Sequence, residues 1–384
     1  MKYNFDEQPS RYNTDSLKWS VGDNELPMWV ADMDFQTAPE IRQVLGERLM
    51  HGIYGYSVVP EAWYICYMNW WKNRHSFTLN KDWLMFVSGA IPAISSIVRK
   101  LTTPAENVVV LTPCYNIFFN CITNNGRNIV ESPLLYSNGA YSIDWDDLEQ
   151  KLALMQTTLM IVCNPHNPIG KIWDVDTLSK IGELCKRYGV TVIADEVHCD
   201  ITDPGKEYVP FAAASDVCRD VSISIYSPSK AFNMAGLQSA CISVPDQFLR
   251  HKVNRAINTD EVAEPNCFAV YGAMAAFEYG ADWLEELKQY LYVNKQFAQI
   301  FIESEVDGVN VVASDATYLL WLDCTAITDD SEALAKQIRE KTGLCLSPGA
   351  QFGGNGKHFL RLNLACTRAA LEEGLARLKA GVAK

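Results

Sequence analysis

The amino-acid sequence predicts an α/β protein whose larger domain holds about seven strands in a mostly parallel sheet, joined to a smaller α+β domain. From about residue 84, short β-branched runs alternate with longer amphipathic stretches, which is the pattern of parallel strands linked by crossover helices. Most of these runs are continuously apolar, as is typical of strands that are covered on both faces. At 384 residues the chain is also longer than one hydrophobic core usually grows.

Seven apolar runs are predicted as strands of the larger sheet: LMFVSG (84–89), NVVVLTP (107–113), NIVESP (128–133), TLMIVCNP (158–165), VTVIADE (190–196), VSISIYS (221–227) and SACISV (239–244). Two amphipathic stretches between them carry signals of helix ends. Asp144 is a candidate N-cap near the start of the stretch 143–152, and Gly189 closes the stretch 174–189. These signals predict that helices connect the strands.

A different pattern begins after the seventh strand. Residues 264–305 lose the β signal and are predicted as long helices, and strands and helices alternate again beyond them. The later strands are predicted at VNVVAS (309–314), TYLLWLDC (317–324) and HFLRLNLAC (358–366), and the later helices at 331–343 and 368–382. The sequence therefore predicts a large domain over residues 46–285 and a small domain formed by residues 1–45 and 286–384. Because no low-complexity linker separates them, we expect the site in the crevice between the domains.

Composition narrows the choice of partners and compartment. The formal net charge of −13 repels a phosphate backbone and no Lys/Arg-rich run offsets it, so no direct nucleic-acid partner is expected. No apolar run approaches the ~18 residues of a membrane span, and the polar amino terminus lacks the apolar core of a secretory signal, so we expect a cytoplasmic protein. The twelve cysteines and six histidines show no metal-ligand spacing, so no metal site is predicted.

A lysine, a carboxylate and an amide follow three of the predicted strands. Lys230 lies in the motif Ser-Pro-Ser-Lys before an apolar segment, where partial burial would favour the neutral amine that a Schiff base needs. Asp195 ends the run TVIAD and could pair with a pyridinium nitrogen. Asn167, in the turn after TLMIV, could donate its amide to a ring oxygen. Together these residue types predict pyridoxal phosphate, bound covalently through Lys230.

Other residues near strand ends complete the predicted cofactor site. The sequence VSGAIPAI gives a strand, a glycine and a helix start, so the backbone amides of Gly89, Ala90 and Ile91 could bind the phosphate. The hydroxyls of Ser227 and Ser229 could add to them.

Three further side chains have a functional and a structural interpretation. Tyr115 could stack on the ring or be an ordinary core aromatic residue, and His198 could contact the ring or be a structural histidine. Arg361 interrupts an apolar strand of the small domain, where a carboxylate partner would stabilise its charge. The α-carboxylate of a substrate could be that partner.

The chain resembles the fold-type I pyridoxal-phosphate enzymes, the aspartate aminotransferase superfamily, over nearly its whole length. Within that superfamily it is similar to the bacterial cystathionine β-lyase or C–S lyase branch, which includes the maltose-regulon modulator type. The likeness lies in LPMWVADMDF (26–35), HGIYGY (51–56), CNPHNPIGKIW (163–173), DEVHCD (195–200), SPSKAFNMAGLQ (227–238) and RLNLACTR (361–368). Several separate motifs in the right order make this resemblance specific.

The resemblance implies a role for each matching residue. Lys230 would be the Schiff-base lysine and proton shuttle, Asp195 the pyridinium partner, Asn167 the ring-oxygen donor, Tyr115 the stacking ring and Arg361 the carboxylate clamp. It also implies a homodimer with shared active sites, in which Tyr56 reaches the phosphate of the neighbouring subunit. Trp29 and Asp32 would sit at the substrate entrance.

The resemblance leads to a hypothesis with two rivals. The hypothesis is α,β-elimination from L-cystathionine, cystine or cysteine, giving pyruvate, ammonia and a thiol. An aminotransferase would use the same Lys230, but Gln238 stands where aminotransferases of this fold usually place a phosphate-binding arginine, and this favours the lyase. The other rival is a regulatory protein that binds a transcription activator as its partner.

Overall fold

The computed structural model describes residues 2–7 and 9–383. Its strands are β1 (Leu26–Pro27), β2 (Leu84–Val87), β3 (Asn107–Thr112), β4 (Asn128–Pro133), β5 (Leu135–Ser137), β6 (Ala140–Ser142), β7 (Thr157–Cys163), β8 (Thr191–Asp195), β9 (Ser222–Tyr226), β10 (Ala240–Ser243), β11 (Asn310–Val311), β12 (Leu319–Asp323), β13 (Leu344–Cys345), β14 (Ser347–Pro348) and β15 (Phe359–Asn363). Its helices are α1 (Pro39–His51), α2 (Glu61–His75), α3 (Ala90–Leu101), α4 (Ile117–Thr123), α5 (Trp145–Leu152), α6 (Val175–Tyr188), α7 (Phe211–Ala214), α8 (Asp216–Val221), α9 (Gln247–Thr259), α10 (Ala269–Tyr279), α11 (Ala281–Glu305), α12 (Ser331–Thr342) and α13 (Arg368–Val382).

The seven predicted strands form one sheet in the order β2, β10, β9, β8, β7, β3, β4. The pairs β9 with β8, β8 with β7, β7 with β3 and β3 with β4 are parallel, whereas β10 runs antiparallel to both of its neighbours. The prediction of a mostly parallel seven-stranded sheet is confirmed. Because β2 and β9 both run opposite to β10, the carboxyl end of β2 lies at the same edge as those of β7, β8 and β9.

Alternating side chains of β3 pack into separate cores on the two faces of the sheet. Val108 and Val110 of β3 pack with residues of α3 and α9 on one face of the sheet, and Val109 packs with residues of α5 and α6 on the other. The predicted caps are also present. The carboxylate of Asp144 accepts a hydrogen bond from the backbone N–H of Asp147, and Gly189 ends α6 with a left-handed φ of 70°.

A four-stranded sheet forms the second layer of the molecule, in the order β11, β12, β15, β14. The prediction of a strand over residues 309–314 was too long, because β11 covers only Asn310 and Val311, although the backbone N–H of Val312 still donates to the Trp321 carbonyl at 2.9 Å. The amino-terminal segment joins this part of the fold, since β1 pairs in parallel with β13 beside it. The predicted boundaries at 45/46 and 285/286 fall inside α1 and α11, and the division into domains stays a prediction.

The hairpin formed by β5 and β6 was not predicted from the sequence. Its turn contains Asn138 and Gly139, both with positive φ, and an Asn-Gly pair between short β runs is the signal that could have found it. Among the residues that the structure describes, no helix combines the length and apolarity needed to cross a membrane.

Candidate active site

Four strands deliver polar groups to one cavity of about 270 Å³ at their common carboxyl edge. Asn167 follows β7, Asp195 ends β8, Lys230 follows β9, and Gly89 follows β2. Of the predicted site residues, those that line the cavity are Gly89, Ala90, Ile91, Tyr115, Asn167, Asp195, His198, Ser227, Ser229 and Lys230. The parallel sheet therefore brings together residues that are up to 141 positions apart in the chain, from Gly89 to Lys230.

Lys230 projects its amine toward the amino-terminal segment of the chain. Its Nζ donates a hydrogen bond to the carbonyl oxygen of Ala31 at 2.8 Å. Burial lowers the pKa of Lys230 to about 8, the positive charge of Arg361 adds to this effect, and the carboxylates of Asp32 and Asp195 oppose it. About a tenth of the amine is therefore neutral at pH 7, far more than for an ordinary lysine, and this fraction can act as a nucleophile or a base.

Asp195 is buried, with only 4% of the residue exposed. Its Oδ1 accepts a long hydrogen bond, 3.4 Å, from the backbone N–H of Val197, and no ion pair among the described residues includes it. Burial raises the pKa of Asp195 to about 6, and the Val197 amide and the charge of Lys230 lower it only in part. A carboxylate in this position is stabilised by a cationic N–H in the cavity, which is the property that the pyridinium of pyridoxal phosphate offers.

The amino-terminal end of α3 opens onto the cavity. Gly89 has φ of +123° and ψ of 157°, a conformation that side chains with a Cβ rarely adopt, and it precedes the first helical residue, Ala90. The backbone N–H groups of Ala90 and Ile91 lie in the first turn and have no intrahelical acceptor. This twelve-residue helix therefore presents donors and the positive end of its dipole to an anion such as a phosphate.

Four serines line the cavity, at positions 88, 227, 229 and 239, and the hydroxyls of Ser227 and Ser239 are not equivalent. Ser227 donates its hydroxyl to the Ser239 carbonyl at 2.7 Å and accepts from the Ser229 amide at 3.1 Å, so its proton is already engaged within the protein. The buried Oγ of Ser239 has no partner among the described residues. Sequence analysis missed Ser239 as a candidate phosphate donor, although its place directly after Gln238 was the available signal.

Arg361 is buried, with 5% of the residue exposed, and its hydrogen-bond acceptors among the described residues are all neutral. Its Nη1 donates to Oδ1 of Asn167 at 3.1 Å, and its Nη2 donates to the Trp29 carbonyl at 2.8 Å and to Oγ of Ser347 at 3.4 Å. Its Nε has no partner in the described part of the chain. Burial lowers the pKa of Arg361 to about 10. A guanidinium in these surroundings is suited to bind a carboxylate from a ligand.

The two aromatic candidates lie at the cavity wall. Tyr115 is partly buried, and burial raises the pKa of its phenol. His198 is buried, its Nδ1 has no partner among the described residues, and burial together with the charges of Lys230 and Arg361 lowers its pKa to about 3. His198 is therefore a neutral imidazole that can donate or accept one hydrogen bond from a ligand.

Four predicted residues are not part of the cavity lining: Tyr56, Trp29, Asp32 and Arg361, whose guanidinium contacts the lining residue Asn167. Tyr56 is fully exposed, at 104%. The indole of Trp29 donates to the Lys18 carbonyl at 3.1 Å, and the carboxylate of Asp32 accepts two hydrogen bonds from the guanidinium of Arg11. Between Trp29 and Asp32, Ala31 does line the cavity, which no signal in the sequence indicated.

A second cavity, of about 760 Å³, lies between α2, α11 and residues 199–209. His75, Cys199 and Asp200 offer potential metal ligands within 4.8 Å of one another, a grouping that sequence spacing could not show. Asp200 already accepts hydrogen bonds from Trp70 at 3.0 Å and from His75 at 3.0 Å, and it pairs with Arg74 at 3.0 Å. Its charge is thus balanced within the protein, and the cluster acts as a hydrogen-bond centre.

The groups around the first cavity fit pyridoxal phosphate. A lysine amine with a lowered pKa suits the aldehyde, a buried carboxylate suits the ring nitrogen, and the open end of α3 suits the phosphate. The unpartnered nitrogen of His198 and the amide of Asn167 provide further polar contacts for the ring. This fold and cavity define the architecture of the aminotransferase-like fold type I.

Comparison with known proteins gives the family. The model of the family described as Aminotransferase class I and II matches residues 15–378, so the chain belongs to this family.

Relatives of known name extend over the whole chain. The chain is 40% identical to cystathionine β-lyase PatB of Bacillus subtilis, over 99% of this chain and 100% of that protein. It is 31% identical to protein MalY of Escherichia coli, over 98% of each chain. Among solved structures, the pyridoxal-phosphate-bound C–S lyase of Staphylococcus hominis superposes with a TM-score of 0.93 at 32% identity, covering 99% of this chain and 98% of that one.

Proposed function

We propose that this protein is a pyridoxal-phosphate-dependent C–S β-lyase that cleaves L-cystathionine, cystine or cysteine by α,β-elimination. One water is consumed, and the products are pyruvate, ammonia and a thiol, or a persulfide when cystine is the substrate. The observation that carries the proposal is the amine of Lys230, which shares one cavity with the unpaired carboxyl of Asp195 and faces the charge of Arg361. The names of the relatives support the choice of C–S lyase chemistry.

Each residue of the site has a task in this reaction. Bound pyridoxal phosphate supplies an electron sink for the bonds at the substrate Cα. Arg361 binds the substrate carboxylate, so Cα is held near the cavity wall that carries Lys230. The neutral amine of Lys230 removes the Cα proton, and the resulting ammonium can return a proton to the departing thiolate.

Asp195 and Asn167 would contact two different polar atoms of the bound ring. The carboxylate of Asp195 holds a proton on the ring nitrogen, which keeps the ring electron-withdrawing. The Oδ1 of Asn167 is held by Arg361, and this leaves the amide nitrogen as the end that can donate to the ring oxygen. The amides of Ala90 and Ile91, together with Ser229 and Ser239, bind the phosphate.

Release of pyruvate from L-cystathionine, measured without any keto acid, tests the proposal. We expect pyruvate and an equal amount of homocysteine from the cofactor-loaded protein, and none from Lys230→Ala. The matched control is Lys186→Ala, which removes an exposed lysine of α6 and should leave the rate unchanged. If the wild-type protein released no pyruvate from cystathionine, cystine or cysteine, the proposed reaction would be wrong.

An aminotransferase is the second candidate, because the matching family is named for that activity. It would use the same Lys230 to move a proton between two carbons. The discriminating result is a strict requirement for 2-oxoglutarate, with glutamate as a product and no free thiol.

The regulatory rival makes a separate prediction. The effect of the protein on a transcription activator would survive Lys230→Ala, whereas the proposed lyase activity would not.

We also propose a homodimer in which Tyr56 enters the neighbouring active site. The segment before α2 exposes large apolar side chains to an unusual degree, including Met50 at 84%, Ile53 at 67% and Val58 at 81%. Such a surface is stabilised when a second copy covers it. Tyr56 lies inside this segment and away from the cavity of its own chain, so a partner's cavity is the site that it can reach.

We also propose a division into two domains and a cytoplasmic location. The larger domain would comprise residues 46–285, and the smaller domain residues 1–45 and 286–384. A cytoplasmic location is supported by the twelve cysteines, all of which are free thiols in the structure, since reduced thiols are typical of that compartment.

A further inference from the structure

Five consecutive residues, 29–33, run between the two sheets, and we call this segment the strap. Its backbone carbonyls face buried donors from both sides. The Trp29 carbonyl accepts from Arg361 at 2.8 Å, and the Ala31 carbonyl accepts from Lys230 at 2.8 Å. The strap therefore contacts the amine and the guanidinium of the proposed active site at the same time.

Asn363 holds the two carbonyls on either side of Ala31. Its Nδ2 donates to the carbonyl of Val30 at 2.6 Å and to the carbonyl of Asp32 at 2.6 Å, which uses both of its amide protons. Its Oδ1 accepts from the backbone N–H of Ala365 at 2.8 Å, so the orientation of the amide is fixed. Only 1% of Asn363 is exposed, and water does not compete for these bonds.

Asn363 and Arg361 lie on the same face of β15, because they are two residues apart on one strand. The backbone N–H of Asn363 also donates to the Met28 carbonyl at 2.9 Å, just before the strap begins. The strap is thus attached to the same strand that carries the carboxylate-binding arginine. A displacement of the strap would move the acceptor of Lys230 relative to Arg361.

The opposite end of the strap is attached to the loop that carries Lys230. Asn233, three residues after that lysine, donates to the Met33 carbonyl at 2.9 Å and accepts from the Met33 amide at 3.0 Å. The Ala31 carbonyl also accepts a second hydrogen bond, from the phenol of Tyr318 at 3.0 Å. One oxygen therefore serves both Lys230 and a buried tyrosine.

We propose that Asn363 is a positioning residue for Lys230: by holding the carbonyls of Val30 and Asp32, it fixes the Ala31 carbonyl where it accepts the lysine ammonium. This inference rests on the proposed role of Lys230 as the cofactor-binding amine. Asn363 touches neither the cavity nor the reacting groups, and it acts only through the strap. The carbonyl stabilises the protonated form of the amine, which opposes the effect of burial.

The test is the pH dependence of cofactor incorporation into cofactor-free, full-length protein. Only the neutral amine of Lys230 can form the bond to pyridoxal phosphate, so the rate, followed by absorbance, has a midpoint set by this group. Borohydride reduction and peptide mass spectrometry identify the modified lysine. For Asn363→Ala we expect the midpoint to fall by at least about half a pH unit, because the ammonium loses its acceptor.

Asn294→Ala is the matched control. Asn294 is equally buried and donates its amide to a backbone carbonyl, that of Cys366, at 3.0 Å, but it does not touch the strap. The midpoint of Asn294→Ala should equal that of the wild type. Free pyridoxal phosphate titrates in the same way in all three experiments, so it cannot cause a difference between the midpoints. A merely structural loss would lower the melting temperature of both variants without separating their midpoints. Equal midpoints in the two variants would overturn the proposal.

If Asn363→Ala does not fold, Tyr318→Phe tests the bond on which the proposal depends, between the Ala31 carbonyl and Lys230. It removes one hydroxyl and little volume, and it leaves Lys230 as the remaining side-chain donor to the Ala31 oxygen. The midpoint should then rise, opposite in sign to the first variant, and an unchanged midpoint would overturn the proposal. Both outcomes are independent of which amino acid the enzyme cleaves, so a failure of the proposed lyase reaction would be seen separately.

Discussion

Arg361 donates a hydrogen bond from Nη1 to Oδ1 of Asn167 across 3.1 Å, and this bond joins the four-stranded sheet to the carboxyl edge of the seven-stranded sheet. The buried guanidinium of Arg361 thus contacts a neutral amide. A carboxylate would stabilise its positive charge more strongly. The same bond turns the amide nitrogen of Asn167 away from Arg361. In the proposed reaction, this contact leaves the charge of Arg361 available to a carboxylate and orients the Asn167 amide to donate to the ring.

Arg361→Met should weaken substrate binding. Loss of a charge-assisted hydrogen bond costs about 1.5–3 kcal/mol, so kcat/KM for an amino-acid substrate should fall roughly 10- to 150-fold, mainly through KM. Thermal stability should change little, because the variant no longer buries an unpaired charge. Steady-state kinetics and melting curves check both parts.

Arg250→Met is the control for Arg361. Arg250 binds only the backbone carbonyls of Val244 and Pro245, outside the cavity lining. Its kcat/KM should stay at the wild-type value. An Arg361→Met enzyme with unchanged KM would show that the carboxylate binds elsewhere.

Asp195→Asn should lose activity and yet stabilise the cofactor-free protein at pH 8. The pKa of Asp195 is about 6 in the folded state, above its ordinary value of 3.8, so folding favours the protonated carboxyl. That contribution is fully present below about pH 4 and is lost as the pH rises through 6, and the buried charge then costs on the order of 3 kcal/mol. Urea unfolding at pH 8 and pH 4 should show a gain for the variant only at pH 8.

Asp220→Asn serves as the comparison for Asp195, because Asp220 is an exposed aspartate whose side chain is 64% accessible. Its unfolding free energy should match the wild type at both pH values. Equal stability of Asp195→Asn and wild type at pH 8 would contradict the conclusion that this carboxyl is destabilised by burial.

Gly89→Ala should weaken both folding and cofactor binding. A Cβ at φ of +123° costs about 1–3 kcal/mol, and relief of that strain would tilt the first amides of α3 away from the phosphate. Each 1.4 kcal/mol lost from binding raises the dissociation constant of pyridoxal phosphate about tenfold. Fluorescence titration with the cofactor measures this directly.

Gly46→Ala is the matched glycine variant. Gly46 lies inside α1 with no atom within 4 Å of a built Cβ, so alanine should stabilise the protein by about 0.5–1 kcal/mol. Cofactor affinity should not change there. If Gly89→Ala lowered stability but left the affinity intact, the end of α3 would not be the phosphate site.

Complementation between two inactive variants tests the shared active site. Chains carrying Tyr56→Ala and chains carrying Lys230→Ala should each be nearly inactive. In a random mixture, half of the dimers are mixed and each contains one complete site, so activity should recover to about a quarter of the wild-type level. No recovery, with mixed dimers shown by native mass spectrometry, would rule out a contribution of Tyr56 across the interface.

The seven strands, and the lysine, carboxyl and amide that share the cavity, could be predicted because their signals are local. Strand β3 is a continuous apolar run, and Asp195 and Lys230 follow such runs directly. In a parallel sheet the carboxyl ends of neighbouring strands meet at one edge, so residues at those ends must be close in space. The topology of a parallel sheet therefore predicts that these separate motifs form one site.

The sequence by itself determined the fold class, the identity of the lysine and the carboxyl that suit pyridoxal phosphate, and the buried arginine of β15. Only the tertiary structure decided that Ala31 holds the amine, that Ser239 offers a free hydroxyl, and that Asn363 fixes the strap. The Ala31 contact joins residues that are 199 positions apart. Every residue has a backbone carbonyl with the same chemistry. The sequence therefore does not indicate which carbonyl a distant side chain will bind.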